Sequence, residues 1–404
     1  MSRIDKLRAL RTRAVAAFMR ESLPPLAREE VRRDRWGLAQ EDPGVERVIE
    51  GAMRWLCEAQ DNSASADGGV ARDYSLITGW SSSYPETTGY IVSTFLEYAS
   101  RTGREELRVR ARRMLDWLVS IQLPCGAFQG GKIDSEPAVP VAFNTGQILF
   151  GLVSGERVFG SYRASLRRAA DWLVKVQDPD GCWRRYATPF ATLGEKTFDT
   201  HAAWALLEAA RLEPGRGYQE AALANIRWAI SHQQENGWLD KCCLSVSRNP
   251  LTHTIGYALR GLIEGHRYSC DLRLLEAARR TADGVLTALR SDGFLPGRLA
   301  PDWSSKVRWA CLTGAAQIAI CWFLLFQETG EPRYREAAFA ANGYVRRTVR
   351  LDAVPGIRGG VKGSFPVNGD YGKYEYLSWA AKFLVDSLLL EQDIRASLPA
   401  SVTR

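Results

Sequence analysis

An all-α fold, six helical hairpins with a ring of inner helices inside a ring of outer ones, is what the 404 residues predict, and three observations predict it. First, the starts of the longest apolar segments align. They read Glu86-Thr-Thr-Gly89-Tyr90, Phe143-Asn-Thr-Gly146-Gln147, Thr200-His-Ala-Ala203-Trp204, His253-Thr-Ile-Gly256-Tyr257, Thr313-Gly-Ala-Ala316-Gln317 and Ser378-Trp-Ala-Ala381-Lys382. Second, the fourth position is always Gly or Ala, and the fifth is always a long polar or aromatic residue. A small residue at one fixed place on six helices means six backbones that approach closely. Third, the unit returns about every 55 to 60 residues, the signature of a stacked repeat.

In chain order, residues 1–40 fall outside the period as a basic helical extension. Residues 1–21 carry Ile4, Leu7, Leu10, Val15 and Phe18 at the spacing of a basic amphipathic helix, which Ser22-Leu-Pro-Pro-Leu26 then breaks. Docking on the ring exterior is one expectation for it, and weak contact of residues 1–20 with an anionic membrane surface is the other. A single domain is expected over 41–395, with a disordered tail at 396–404.

Between the aligned inner helices lies an outer set with apolar residues at helical spacing, at about 45–59, 106–121, 162–176, 218–232, 272–289 and 333–349. Several end alike. Trp117-Leu-Val-Ser-Ile-Gln122 leads to Gly126-Ala-Phe128, Trp172-Leu-Val-Lys-Val-Gln177 to Gly181-Cys-Trp183, and Trp228-Ala-Ile-Ser-His-Gln233 to Gly237-Trp238. Asp-Gly and Asn-Gly stop a helix, because Gly accepts a left-handed turn cheaply. The aromatic that follows can pack back on the helix just ended. Six such hairpins without an atypical capping repeat suggest a closed ring.

At 46% hydrophobic and 25% charged, the chain can bury a large core. A net charge of +7 suits an acidic partner, although Arg108, Arg110, Arg112 and Arg113 read equally as a solvated outer-helix face. Arg residues are scattered and interleave with Glu, so no nucleic-acid partner is expected. The eight cysteines form no C-x-x-C pair, no leader or bilayer-length apolar segment is legible, and a reducing cytoplasm is the expected location. No metal and no cofactor are expected, because three or four suitably spaced ligands cannot be assembled.

The repeat pattern resembles the (α/α)6 toroid group. One branch holds terpenoid cyclases and prenyltransferase β-subunits; the other holds six-hairpin glycosidases, polysaccharide lyases and sugar epimerases. Gln177-Asp-Pro-Asp-Gly-Cys-Trp183 is similar to the Q-x-x-x-G-x-W repeat of squalene-type cyclases, and helical-hairpin lyases carry much the same signature. It therefore marks the fold and not the chemistry. The chain lacks the D-x-D-D acid of squalene–hopene cyclases and the D-x-C zinc run of protein prenyltransferases. Cys242-Cys243 also has no His placed as in the zinc-dependent lanthionine cyclases.

In a closed ring the loops entering the inner helices gather at one end, and each first helical turn presents unpaired N–H groups there. The candidate catalytic residues at those starts are Glu86, Asp199, His201, His253 and Tyr374. Candidate substrate-binding residues are Trp80, Tyr84, Asn144, Gln147, Trp204, Tyr257, Arg308, Trp309, Gln317, Asp370, Tyr371, Glu375 and Lys382. Two of only four histidines, His201 and His253, fall in adjacent columns, and His titrates near neutral pH. A core His bound to a backbone carbonyl is the plainer reading of either. Asp199 reads equally as a helix N-cap, and Glu86 as a charge complementing the dipole of its helix. Tryptophans at helix positions are core more often than not.

Three functions follow. The favoured one is a carbohydrate-active enzyme acting on an acidic oligo- or polysaccharide by acid/base chemistry in the central cavity. Hydrolysis would need two facing carboxylates, such as Glu86 and Asp199, with Asp370 or Glu375 opposite. Elimination or epimerisation of a uronate would need a base, an acid and a cation, for which His201, His253, Tyr84 or Tyr374, and Arg308 are candidates. A tyrosine proton donor is what resemblance to uronate lyases and epimerases implies. The second function is an isoprenoid cyclase or prenyl-transfer enzyme with an apolar cavity. The third is a non-catalytic toroid that binds a glycan or a protein.

Overall fold

A computed structural model describes residues 22–398 apart from 189–190, 192–193 and 245–248, so the expected helix at 1–21 and the end of the tail at 399–404 lie outside the described residues. A short helix, α1 (Pro25–Asp34), precedes twelve that build the ring. The outer helices are α2 (Val45–Asp61), α4 (Glu105–Ser120), α6 (Arg163–Val176), α8 (Tyr218–Ile230), α10 (Leu272–Thr287) and α12 (Pro332–Arg346). The inner helices are α3 (Pro85–Thr102), α5 (Ala142–Phe159), α7 (Thr200–Leu212), α9 (Thr252–Ser269), α11 (Leu312–Thr329) and α13 (Ser378–Ser397). Each inner helix packs on the next, and α13 packs back on α3, so the ring closes as an (α/α)6 toroid.

The tight hairpin runs from an inner to the following outer helix. Gly103, Gly160, Cys270 and Gly330 end four inner helices in the left-handed conformation. The sixth pair joins the chain's two ends, with α13 packing on α2. No local turn makes that pair, so the closing contact depends on chain segments more than 300 residues apart.

The small column works as the alignment predicts. A Cβ on Gly89 would lie 2.4 Å from Ile148 Cα, one on Gly146 2.4 Å from Ala202 Cβ, and one on Gly256 2.9 Å from Gln317 Cβ. Neighbouring inner helices therefore touch backbone to backbone at this level, which lets six of them surround a common axis.

The recurrent Gln at the outer-helix ends is a stitch. Gln177 Nε2 donates to the carbonyls of Gly181 and Ala221, both at 2.9 Å. Gln122 does the same to Gly126 and Ser165, and Gln60 to Gly68 and Arg110. One amide thus satisfies its own turn and the next outer helix. Gly181, at φ 96°, passes so close to that helix that a Cβ would meet the Ala224 backbone at 2.6 Å.

Long loops run from each outer helix to the next inner one and carry the few strands. In an antiparallel sheet, β1 (Asp73–Ser75) is flanked by β2 (Gly79–Trp80) and β5 (Glu375–Leu377), so loops of the first and last repeats join where the ring closes. A second pair, β3 (Ala310–Cys311) and β4 (Ser364–Phe365), ties the fifth repeat to the sixth. Behind β5, α1 is anchored by ionic contacts. Lys362, 2% exposed, pairs with Glu30 at 2.9 Å and with Asp34, while Tyr376 donates to Glu30 at 2.9 Å and Asp34 accepts from the Val367 amide at 2.7 Å. Residues 25–34 thus pack on the ring, while the helix expected to dock there, at 1–21, lies outside the described residues. No described helix is long and apolar enough to cross a membrane.

Candidate active site

A cavity of about 520 Å³ opens at the N-terminal ends of the inner helices. Its wall includes Arg72, Tyr84, Glu86, Tyr90, Phe143, Phe198, His253, Tyr257, Tyr371, Glu375 and Trp379. The aligned helix starts supply most of these side chains because the first turns of α3, α5, α9 and α13 face the cavity there.

Glu86 sits in the first turn of α3, which Pro85 opens. Asn144 Nδ2, from the neighbouring start, donates to Glu86 Oε2 at 2.9 Å. The Tyr84 hydroxyl bonds to the same carboxyl, and Arg72 draws it toward the charged form. Burial outweighs both and pushes the Glu86 carboxyl up to about 7. A group with that pKa can give or take a proton near neutrality.

The two expected histidines come together around one tyrosine. The His253 and His201 rings each lie 4.5 Å from the Tyr257 ring. His253 faces the cavity, while His201 lies behind Tyr257, against Phe150 and Trp204. Neither takes the backbone-carbonyl role among the described contacts. Each Nδ1 meets a glutamine oxygen instead, His253 with Gln317 at 2.6 Å and His201 with Gln147 at 2.8 Å. Burial lowers His253 to about 4 and holds His201 well below the usual imidazole range, the latter also under the charges of Arg260 and Lys382. Both are neutral at pH 7, so with Nδ1–H held by Gln317, His253 keeps the lone pair on Nε2.

Arg72 is the residue that reading the helix starts missed. It sits in the loop before β1, pairs with Asp73 at 2.7 Å and Glu375 at 3.0 Å, and lies 5.2 Å over the Trp379 ring. No repeat alignment reaches that loop, so the sequence carried no signal for it. Trp379 was missed as well, although it shares a column with Asn144 and His201, the signal that could have found it. Its Nε1 donates to the Tyr371 hydroxyl at 2.7 Å.

Other expected residues lie elsewhere. Asp199 does not face Glu86 across the cavity. It is buried outside the lining, near Lys196 and Cys182, and burial raises it to about 8. It begins α7 without making a side-chain cap, so the capping reading also fails. Tyr374 is half-buried at a left-handed turn (φ 63°) with Lys373 over its ring, outside the cavity lining. Asp370 and Arg308 are exposed, and Trp309 packs on Gly297 and Gly369. Trp80 stacks on Trp55 and Tyr74 at 5.2 and 5.1 Å. Trp204 and Lys382 form a layer below the cavity, Trp204 under Arg260 and Lys382 bound to Asp386 at 2.6 Å. Gln147 and Gln317 hold His201 and His253. No group of three or more His, Cys, Asp or Glu among the described residues is placed to hold a metal ion.

Residues 81–260 match the family described as the squalene–hopene cyclase C-terminal domain. No curated protein matches. Among solved structures, a heparin-specific unsaturated glucuronyl hydrolase superposes with TM-score 0.69 at 16% identity, over 88% of this chain and 99% of its own. A D-mannose isomerase gives 0.68 at 12%, over 87% and 97%, and the cellobiose 2-epimerase of Bacillus thermoamylovorans gives 0.67 at 12%, over 90% and 99%. These likenesses establish the toroid fold that this chain shares with the six-hairpin enzymes.

Proposed function

We propose that this six-hairpin toroid is a carbohydrate-active enzyme that moves a proton at a sugar carbon next to a carbonyl or carboxyl group. The observation that carries the reading is the pairing, in one cavity, of a carboxyl raised to about 7 with a neutral, oriented imidazole, Glu86 and His253. In this scheme His253 Nε2 takes the C–H proton and the electron pair moves into an enediol or enolate. Glu86, protonated, supports the oxygen on which charge develops. Delivery of a proton to the opposite face of that carbon completes epimerisation, delivery to the neighbouring carbon completes isomerisation, and loss of a β-substituent completes elimination. Trp379, Tyr371 and Phe143 offer aromatic faces to the ring of the sugar.

The fold neighbours named for glucuronyl, mannose and cellobiose substrates support a saccharide. An acidic sugar unit is the narrower version. Arg72 is already shared by Asp73 and Glu375, and Lys132 on the wall stands 3.7 Å from Asp134, so its support comes chiefly from the overall charge of +7. Hydrolysis is the second reading, favoured by the pKa of Glu86, which suits a general acid. A hydrocarbon substrate fits poorly, because the lining carries Arg72, Asp73, Glu86, Glu375 and His253. Cytoplasmic location remains part of the proposal.

The test is a panel of uronate-containing and neutral oligosaccharides treated with the protein, E86Q and H253N, and read by mass spectrometry and NMR. An isomer or an unsaturated product, lost in both variants, supports the reading. Products that have gained water transfer the case to hydrolysis. Conversion by H253N at the parental rate ends the proposed role of His253.

A further inference from the structure

A second concave site lies away from the cavity. A groove of about 630 Å³ runs between the segment after α1 and the loop after α12, with Arg33, Trp36, Glu41, Arg47, Arg347 and Asp352 among its walls. Trp36 is 83% exposed. A large aromatic that folding leaves in water is unusual, and an unburied ring face is what a pyranose stacks on. Among the described residues, no carboxylate stands in ion-pair range of Arg33, Arg47 or Arg347. Arg347 is steadied by donating to the carbonyls of Gly343 and Asp292. Arg33 and Arg47 can therefore offer a planar fork to a carboxylate or sulfate, and Arg347 the N–H groups its two carbonyl contacts leave over.

We propose that this groove is a second carbohydrate-binding site, for a segment of an anionic glycan chain. The mixture of groups selects that class. Glu41 and Asp352 stand in the same walls, where they would repel the close phosphates of a nucleic acid. They suit a chain whose charges are one or more sugars apart, because they accept hydrogen bonds from the hydroxyls between. The concave shape favours a chain over a flat bilayer. The groove also shares Lys362 and Phe365 with the loop that runs on to Tyr371 and Glu375 in the cavity. This site goes beyond the cavity chemistry and does not depend on it.

The test is calorimetric titration of the full chain carrying E86Q, which leaves the groove intact, with hexamers of galacturonate, hexamers of mannuronate and cellohexaose. At least one uronate hexamer is expected to bind, more weakly as salt rises and at least about tenfold more tightly than cellohexaose. W36A is expected to weaken that binding by about tenfold, and R47A with R347A by as much or more. Unchanged thermal unfolding checks that these exposed changes leave the fold alone. Binding unaffected by either set of substitutions, or binding of neither uronate, overturns the proposal. Trp36-dependent binding to phosphatidylglycerol vesicles that exceeds binding to the hexamers also overturns it and gives the groove to a membrane. Because E86Q disables the proposed chemistry from the start, loss of groove binding and failure of the cavity reading remain separate results.

Discussion

His253 Nδ1 lies 2.6 Å from Gln317 Oε1, across the joint between the fourth and fifth inner helices. The contact fixes the ring plane and, with the amide oxygen as acceptor, keeps the proton on Nδ1. His201 and Gln147 repeat the arrangement across the joint between the second and third. Two neutral imidazoles held by amides, with Tyr257 between them, form a site whose protonation states are set before any substrate arrives.

Replacing Gln317 with Leu removes that hold while leaving His253 in the wall. Turnover is expected to fall about tenfold or more with KM little changed, and H253N to fall about a thousandfold. Separate measurement of kcat and KM over a pH series checks this. A variant that unfolds would lower the amount of active enzyme without moving the pH profile, whereas loss of ring orientation moves it.

Glu86 links activity to stability. Its carboxyl titrates at about 7 in the fold against an ordinary 4.5, so the folded chain holds the proton more tightly than the unfolded one. The stabilisation is complete below the unfolded value and is lost as pH rises through about 7. E86Q should therefore be as stable as the parent in acid and more stable by about 2 kcal/mol in mild alkali, since cavity water reduces the full effect. D199N should behave alike, its gain growing until about pH 8 and holding above it. Chemical denaturation at several pH values measures both. A parent that gains stability between pH ~5 and ~8 relative to E86Q would contradict the burial of this carboxyl.

The anchor of α1 carries its own expectation. Lys362→Met leaves Asp34 as a buried carboxylate without its cation, while Glu30 keeps Arg350 and the Tyr376 hydroxyl, and should cost about 3 kcal/mol. Adding D34N should recover much of it. Denaturation of the single and double variants decides, and equal stability of the two would show that the charges are not coupled.

Close approach at the small column predicts asymmetry. Gly146→Ala places a Cβ 2.4 Å from Ala202 Cβ and should cost about 2 kcal/mol. Gly103→Ala, at a turn where a Cβ meets nothing within 4 Å, should cost less, about 1 kcal/mol for its left-handed backbone. Thermal unfolding of both variants ranks them.

Fold and site differed in how far the sequence exposed them. The aligned helix starts, with Gly89, Gly146 and Gly256 at one level, encode backbone contact directly, so the ring was legible. The closing pair of α13 on α2 follows from six units and a fixed rotation, not from any local signal. His201, His253 and Tyr257 were legible because repeats place equivalent positions around one axis. Depth along that axis was not legible, which is why His201, Trp204 and Lys382 lie below the cavity. Arg72 was missed because its loop has no period. Asp199 was misplaced because a helix start fixes a residue's height in the ring and not the direction of its side chain.

The most direct measurement is solvent exchange. The protein, in deuterium oxide with a saccharide it converts, should place deuterium on one sugar carbon when the product is an isomer, or give an unsaturated product when a β-substituent leaves, and both E86Q and H253N should abolish the conversion. A saturated product formed at full rate with no carbon-bound deuterium, and by a protein still active as H253N, would contradict proton transfer at carbon by the Glu86–His253 pair.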